Sequence, residues 1–235
     1  MSAPSPPPLP QVRISDALSW AFDTLKKNAS GFIALAAVVA VIQLAQQFAI
    51  APLNAIVTDC TNPQSPGQEN ACSVAVQDGL ATGGLLLAFF LILGMLATVG
   101  VYRAGVRASQ GMRPSFAEMF TTENLGKYLL FTLAYVALSV AGTLACIAPG
   151  LAVLFFLQLG PFYVLDKGYG VKQAIVASFR ATSRHFGPTV IMTLVNIVTL
   201  LIGGAFYGVL TLVTLPFSTL FTVHVYRQIN GEAVR

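Results

Sequence analysis

IAPGLAVLFFLQLGPFYVLDKGYGVKQAIVASFRATSRHFGP, residues 147–188, is the stretch whose reading decides the fold. After the Pro149-Gly150 pair, the run from Leu151 to Leu165 carries no charge. Asp166-Lys167 then makes a charged step, and a segment bearing Lys172, Arg180 and Arg184 leads to a second Gly-Pro. A charge-free run beside a basic amphipathic segment suits a helix that crosses a bilayer, followed by one lying on its charged face.

Composition extends this reading to the whole chain. Of 235 residues, 55% are hydrophobic and only 9% charged, and the mean hydropathy is +0.73. Soluble domains carry about 25% charged residues, so a water-facing surface could not be built from this inventory. The net charge of +4 does not point to nucleic acid, because the cations sit beside apolar segments, where lipid head groups lie.

The opening MSAPSPPPLPQ is proline-rich and lacks the basic-then-apolar order of a signal peptide. Residues 1–13 read as a disordered tail and 14–235 as one membrane domain. Ile14, Ala17, Leu18, Ala21, Phe22 and Leu25 follow helical spacing, which predicts a short amphipathic helix closed by Lys26 and Lys27. Similar interfacial helices are expected within 114–126, from a Ser115-x-x-Glu118 capping box, and over 171–186. Apolar runs predict six transmembrane helices at about 31–54, 79–102, 127–147, 151–165, 188–202 and 206–226, an all-α polytopic fold. Val101-Tyr102-Arg103 and Val225-Tyr226-Arg227 close the second and sixth in the same way. Three interfacial-helix-plus-hairpin modules would account for the layout.

With six spans, all thirteen basic residues fall on one side. The positive-inside rule then predicts cytoplasmic termini. The opposite loop, 55–78, holds Asp59, Glu69, Asp78, Cys60 and Cys72 and no Lys or Arg. Cys60 and Cys72, facing an oxidising compartment, are expected to form a disulfide, and closing such a loop contributes about 3 kcal/mol in the chain-entropy picture.

No metal-binding spacing, nucleophile elbow or nucleotide-binding glycine motif appears, so no catalytic residue, metal or cofactor is expected. Asp166 borders a span and is expected to pair with Lys167, Arg180 or Arg184. With His185 it forms the third-ranked reading, a lipid-modifying enzyme. Gln43, Gln47, Gln158 and Asn196 lie within apolar helices, either as interhelical glue or as the lining of a polar cavity. Arg103, Arg107, Lys167, Lys172, Arg180 and Arg184 are the candidate contacts to anionic lipid or to a membrane protein complex.

Ala148-Pro149-Gly150, the Tyr163-Val-Leu-Asp166 step and Ala174-x-x-x-Ser178-Phe179-Arg180 ahead of another span carry a resemblance. Mainly over 127–230, the chain resembles poorly characterised bacterial six-helix membrane proteins related to the membrane domain fused to some glycerophosphodiester phosphodiesterases. The resemblance implies a bacterial inner-membrane location. The phosphodiesterase barrel of the fused relatives has no counterpart in these residues, so hydrolysis is not implied. The expected function is a non-enzymatic accessory or scaffold that binds lipid or a membrane complex in envelope lipid handling, with a small-solute permease or channel as the alternative.

Overall fold

The structure is a computed structural model. It describes the backbone of residues 11–61, 68–205 and 209–234, with side chains described across these except at 53–81. The fold is all-helical among the described residues. Among the described residues, five helical stretches are long and apolar enough to cross a membrane: Ala29–Pro52, Thr82–Ser109, Leu125–Ala145, Ile147–Lys167 and Phe186–Gly204. That is the pattern of a multi-pass membrane protein.

Helix α1 (Ile14–Lys27) buries Ala17, Ala21 and Leu25. Small residues at i, i+4 allow close packing, and α1 lies against the last helix of the chain. Phe22, grouped with them by helical spacing, points outward, with Lys26 Nζ 4.2 Å from its ring centre.

Helices α2 (Ala29–Thr61) and α3 (Gln68–Ser109) pack on each other and extend well past the expected span ends at 54 and 79. The expected loop at 55–78 is therefore helical at both ends. Hydropathy marks where hydrocarbon ends, whereas the helix continues while its residues keep satisfying backbone hydrogen bonds. The side chains of Cys60 and Cys72 lie outside the described residues.

The segment after α3 is shorter in structure than expected. Ser115 Oγ accepts from the Ala117 N–H at 3.3 Å, but the backbone then makes a single 3-10 turn, Phe116–Met119, rather than an interfacial helix. Glu118 does not close a capping box, since its side chain turns to Arg107, with Nε 3.0 Å from Oε2.

Helix α4 (Leu125–Ala145) pairs with α5 (Ile147–Leu157). The reversal comes at Cys146, in extended backbone, and Pro149-Gly150 lies inside the first turn of α5. Proline is tolerated there because first-turn N–H groups have no intrahelical partner. Pro161 does more than kink the fourth span. The helix stops at Leu157 and restarts as α6 (Gly160–Lys167), as expected where a proline removes an N–H from the ladder. Gly160 is required at that break: a Cβ there would lie 2.0 Å from Phe131 Cζ.

Helix α7 (Val171–Arg184) tucks beneath this break. Its Ser178 hydroxyl donates to the Phe156 carbonyl at 2.8 Å, satisfying an acceptor near the C-terminal end of α5. Ala174, Ser178, Ala181 and Thr182 face inward. Phe179 of the same helix is 50% exposed.

Helix α8 (Phe186–Gly204) antiparallels α9 (Thr211–Ile229), which begins five residues later than expected. Residues 206–208 lie outside the described residues. Every residue of α9 from Thr219 to Arg227 is buried, and α1, α2, α3 and α8 all pack on it. It is the axis of the bundle. Its Thr, Ser, His and Arg content lowers its hydropathy, as suits a helix that faces protein on most sides.

Candidate functional site

A cleft of about 810 Å³ runs between α2, the α5–α6 break, α8 and α9, and Gln43, Gln47, Gln158 and Asn196 all line it. The four polar residues that the sequence placed inside apolar helices thus meet in one chamber. Gln46, Tyr102 and Tyr135 also line it. Gln46 was legible in principle, because Gln43, Gln46 and Gln47 stand at i, i+3 and i+4 and share a helix face.

Two of the four are committed to structure. Gln158 Nε2 donates to Thr193 Oγ1 at 2.8 Å and to the Phe155 carbonyl at 2.9 Å. Asn196 Nδ2 donates to Thr222 Oγ1 at 2.9 Å, and its Oδ1 accepts from Ser218 at 2.9 Å. These bonds tie α5 to α8 and α8 to α9. Gln43 and Gln47 are exposed to the chamber. An amide facing hydrocarbon without a partner costs roughly 2–7 kcal/mol, so a chamber with this wall is suited to water or a hydrogen-bonding ligand. It reaches the α8–α9 junction, where Gly203, Gly204, Thr211 and Thr214 form its edge.

At the other end an aromatic floor intervenes. Tyr102 packs on Phe162 with ring centres 5.1 Å apart, and Phe162 on Tyr226 at 6.0 Å. Beneath it lies an ionic cluster that the sequence did not reveal. Arg227 Nη2 meets Asp166 Oδ1 at 2.8 Å, with the two side chains 9% and 7% exposed. Tyr226 donates its hydroxyl to Asp166 Oδ2 at 3.0 Å, and Arg227 Nε donates to Ser109 Oγ at 3.1 Å. Arg227 also pairs with Glu232, which Lys167 Nζ meets at 2.9 Å. Burial alone would raise the Glu232 carboxyl. Hydrogen bonds and charge from Lys167 and Arg227 outweigh it and hold the carboxyl below its ordinary value.

Asp166 therefore pairs with Arg227, not with Lys167, Arg180 or Arg184 as expected. Both its oxygens are engaged in holding α6 to α9. His185, its expected companion, is buried at the α7–α8 junction with Nδ1 3.3 Å from the Ala181 carbonyl.

The six basic candidates separate into two groups. Arg103 is 8% exposed, and its guanidinium donates to the carbonyls of Glu118, Thr121 and Glu123. Arg107 pairs with Glu118 and Lys167 with Glu232. These three serve the fold. Lys172, Arg180 and Arg184 are exposed along α7. Phe22, Phe116, Phe120 and Phe179 are exposed on elements at the same end.

The chain is similar to uncharacterised proteins of Mycobacterium bovis and Mycobacterium tuberculosis. Identity to the M. bovis protein is 28%, and the match covers 94% of this chain and 71% of the relative. A M. tuberculosis protein matches at 28% and another at 27%, with the same coverage. No family profile matches the chain, and no solved structure does.

Proposed function

We propose that this chain is a non-enzymatic membrane protein of a bacterial inner membrane that holds a ligand within its helix bundle. Six spans cross the bilayer, α9 being the sixth, and both termini and the ionic cluster face the cytoplasm. The single observation that carries the reading is the meeting of Gln43, Gln47, Gln158 and Asn196 on one cleft of about 810 Å³. That volume lies within the roughly 300–1,000 Å³ range of small-ligand sites.

Support for the topology comes from charge. Lys172, Arg180 and Arg184 are exposed at the same end as the outward phenylalanines, a combination suited to anionic head groups on the cytoplasmic leaflet. An accessory role in envelope lipid handling, and kinship with six-helix bacterial membrane proteins, remain part of the proposal. The ligand contact moves from the basic helices into the bundle.

A permease is the second reading. It is favoured by the helix breaks on the chamber wall, since Pro161, Gly203 and Gly204 all line it, and discontinuous helices frame many transport sites.

Native mass spectrometry of the protein released from nanodiscs made directly from its own membranes tests the proposal. A defined adduct that survives delipidation, and is lost in the Gln43→Leu/Gln47→Leu variant, is expected. An identical adduct spectrum in that variant would overturn the binding reading. Solute flux in proteoliposomes would move the protein to the permease class.

A further inference from the structure

A second cavity, about 490 Å³, lies between α2, α3 and α4 and shares Gln43, Gln46, Tyr102 and Tyr135 with the chamber. The shared residues form a threshold between the two spaces. Beyond it the second cavity changes character: Ile42, Leu87, Leu91, Met95 and Val136 line it. Leu87 and Leu91 are exposed on the bundle. Helix α4 leans on α5 and touches α3 only sparsely, so the slot lies at a seam between the α2–α3 and α4–α5 pairs.

A polar chamber joined to an apolar slot matches the shape of an amphipathic molecule. Among the described residues, neither space has an Asp, Glu, Lys, Arg or His in its lining. A head group with net charge would be desolvated there without a counter-charge, which costs far more than burying hydroxyls that find partners. Amides and hydroxyls supply both donors and acceptors, the set that hydroxyl groups need.

On the reading that the chamber binds a ligand, we infer that the ligand is one membrane lipid with an uncharged, hydroxyl-rich head. Its head lies in the chamber beside Gln43 and Asn196, its backbone crosses the Gln43–Gln46–Tyr102–Tyr135 threshold, and one chain leaves through the slot between α3 and α4. Entry is lateral, from the bilayer.

Two glycines allow a test without disturbing the core. Gly94 lines the slot and Gly204 the chamber, and a Cβ at either position meets nothing within 4 Å. Gly94→Trp therefore blocks the slot and Gly204→Trp the chamber. The probes are a glucosyl diacylglycerol with a diazirine in its acyl chain, and an alkyl glucoside whose short aglycone carries the diazirine and which has no acyl chain, each in nanodiscs holding the full chain. Thermal unfolding of both variants verifies that they fold.

The lipid probe is expected to label α3 and α4 residues around the slot. Labelling should fall at least about tenfold in Gly94→Trp, the factor that 1.4 kcal/mol makes in affinity. Unlabelled glucosyl diacylglycerol should compete, and phosphatidylglycerol should not. Equal competition by phosphatidylglycerol would overturn the uncharged head. If the alkyl glucoside labels the chamber and is lost in Gly204→Trp, while the lipid probe never labels the slot, the lateral-lipid inference fails and the chamber reading survives. If neither probe labels either space, both fail.

Discussion

Arg227 and Asp166, 61 positions apart in the chain, form an ion pair of 2.8 Å in which both side chains are at least nine-tenths buried. The pair joins the end of the central helix α9 to α6, the short helix restarted by Pro161. Tyr226 donates to the other oxygen of Asp166, so consecutive residues of α9 grip one carboxylate. Removing one partner strands a buried charge. Arg227→Met is expected to destabilise the protein by about 3–5 kcal/mol, as breaking a buried pair does, read as a fall in the thermal unfolding midpoint in detergent. An unchanged midpoint would show the pair to be solvated.

Glu232 gives this cluster a pH dependence of known sign. Its carboxyl is held below the ordinary value in the fold, so its contribution is present above the unfolded-state value. It is lost as pH falls through the lower folded value. The stability difference between the native protein and Glu232→Gln should therefore be greatest near neutrality and shrink toward acid pH. A difference that grows on acidification contradicts the assignment.

Gly160 sits where α4 meets the break in the fourth span. A methyl at this position overlaps the Phe131 ring, and Phe131 is fully buried. Gly160→Ala should cost about 1–3 kcal/mol, as overpacking does. Gly126→Ala, where a Cβ meets open space, is the matched control and should be close to neutral in the same unfolding assay.

The two groups of cations should separate in experiment. Neutralising Lys172, Arg180 and Arg184 together should reduce the anionic lipid retained around the purified protein and leave its stability within about 0.5 kcal/mol, as exposed substitutions do. Arg103→Gln should show the reverse. It strips donors from the Glu118, Thr121 and Glu123 carbonyls, so stability falls while lipid retention holds.

Much of the fold was legible because local patterns carry it. Periodicity from Ile14 and the closing Lys26 and Lys27 delimited the first helix, and the structure has Ile14–Lys27. The segment expected at 171–186 is Val171–Arg184. The chamber was legible as four polar residues stranded in apolar helices, because such residues need an interior to face. The hidden features depend on distant partners. A cation at the end of a span reads as interfacial whether it meets lipid or a buried carboxylate, so Arg103 and Arg227 looked like Lys172. Asp166 had three basic residues nearby in sequence, yet its partner comes from the last helix. The Val-Tyr-Arg motif repeated at the close of the second and sixth expected spans was the one available signal, since both arginines turn inward, and α3 runs on past it to Ser109. The fourth span hid its division in two, because hydropathy does not register that Pro161 interrupts the hydrogen-bond ladder.

The most direct measurement of the central claim, that the chamber holds a ligand, is native mass spectrometry of Gly204→Trp beside the native protein, both in nanodiscs from the same membranes. The indole fills the chamber edge, and a Cβ at Gly204 meets nothing within 4 Å, so stability should be retained. A discrete adduct on the native protein that disappears in the folded variant is the predicted result. The same adduct at the same occupancy on both proteins would contradict the account.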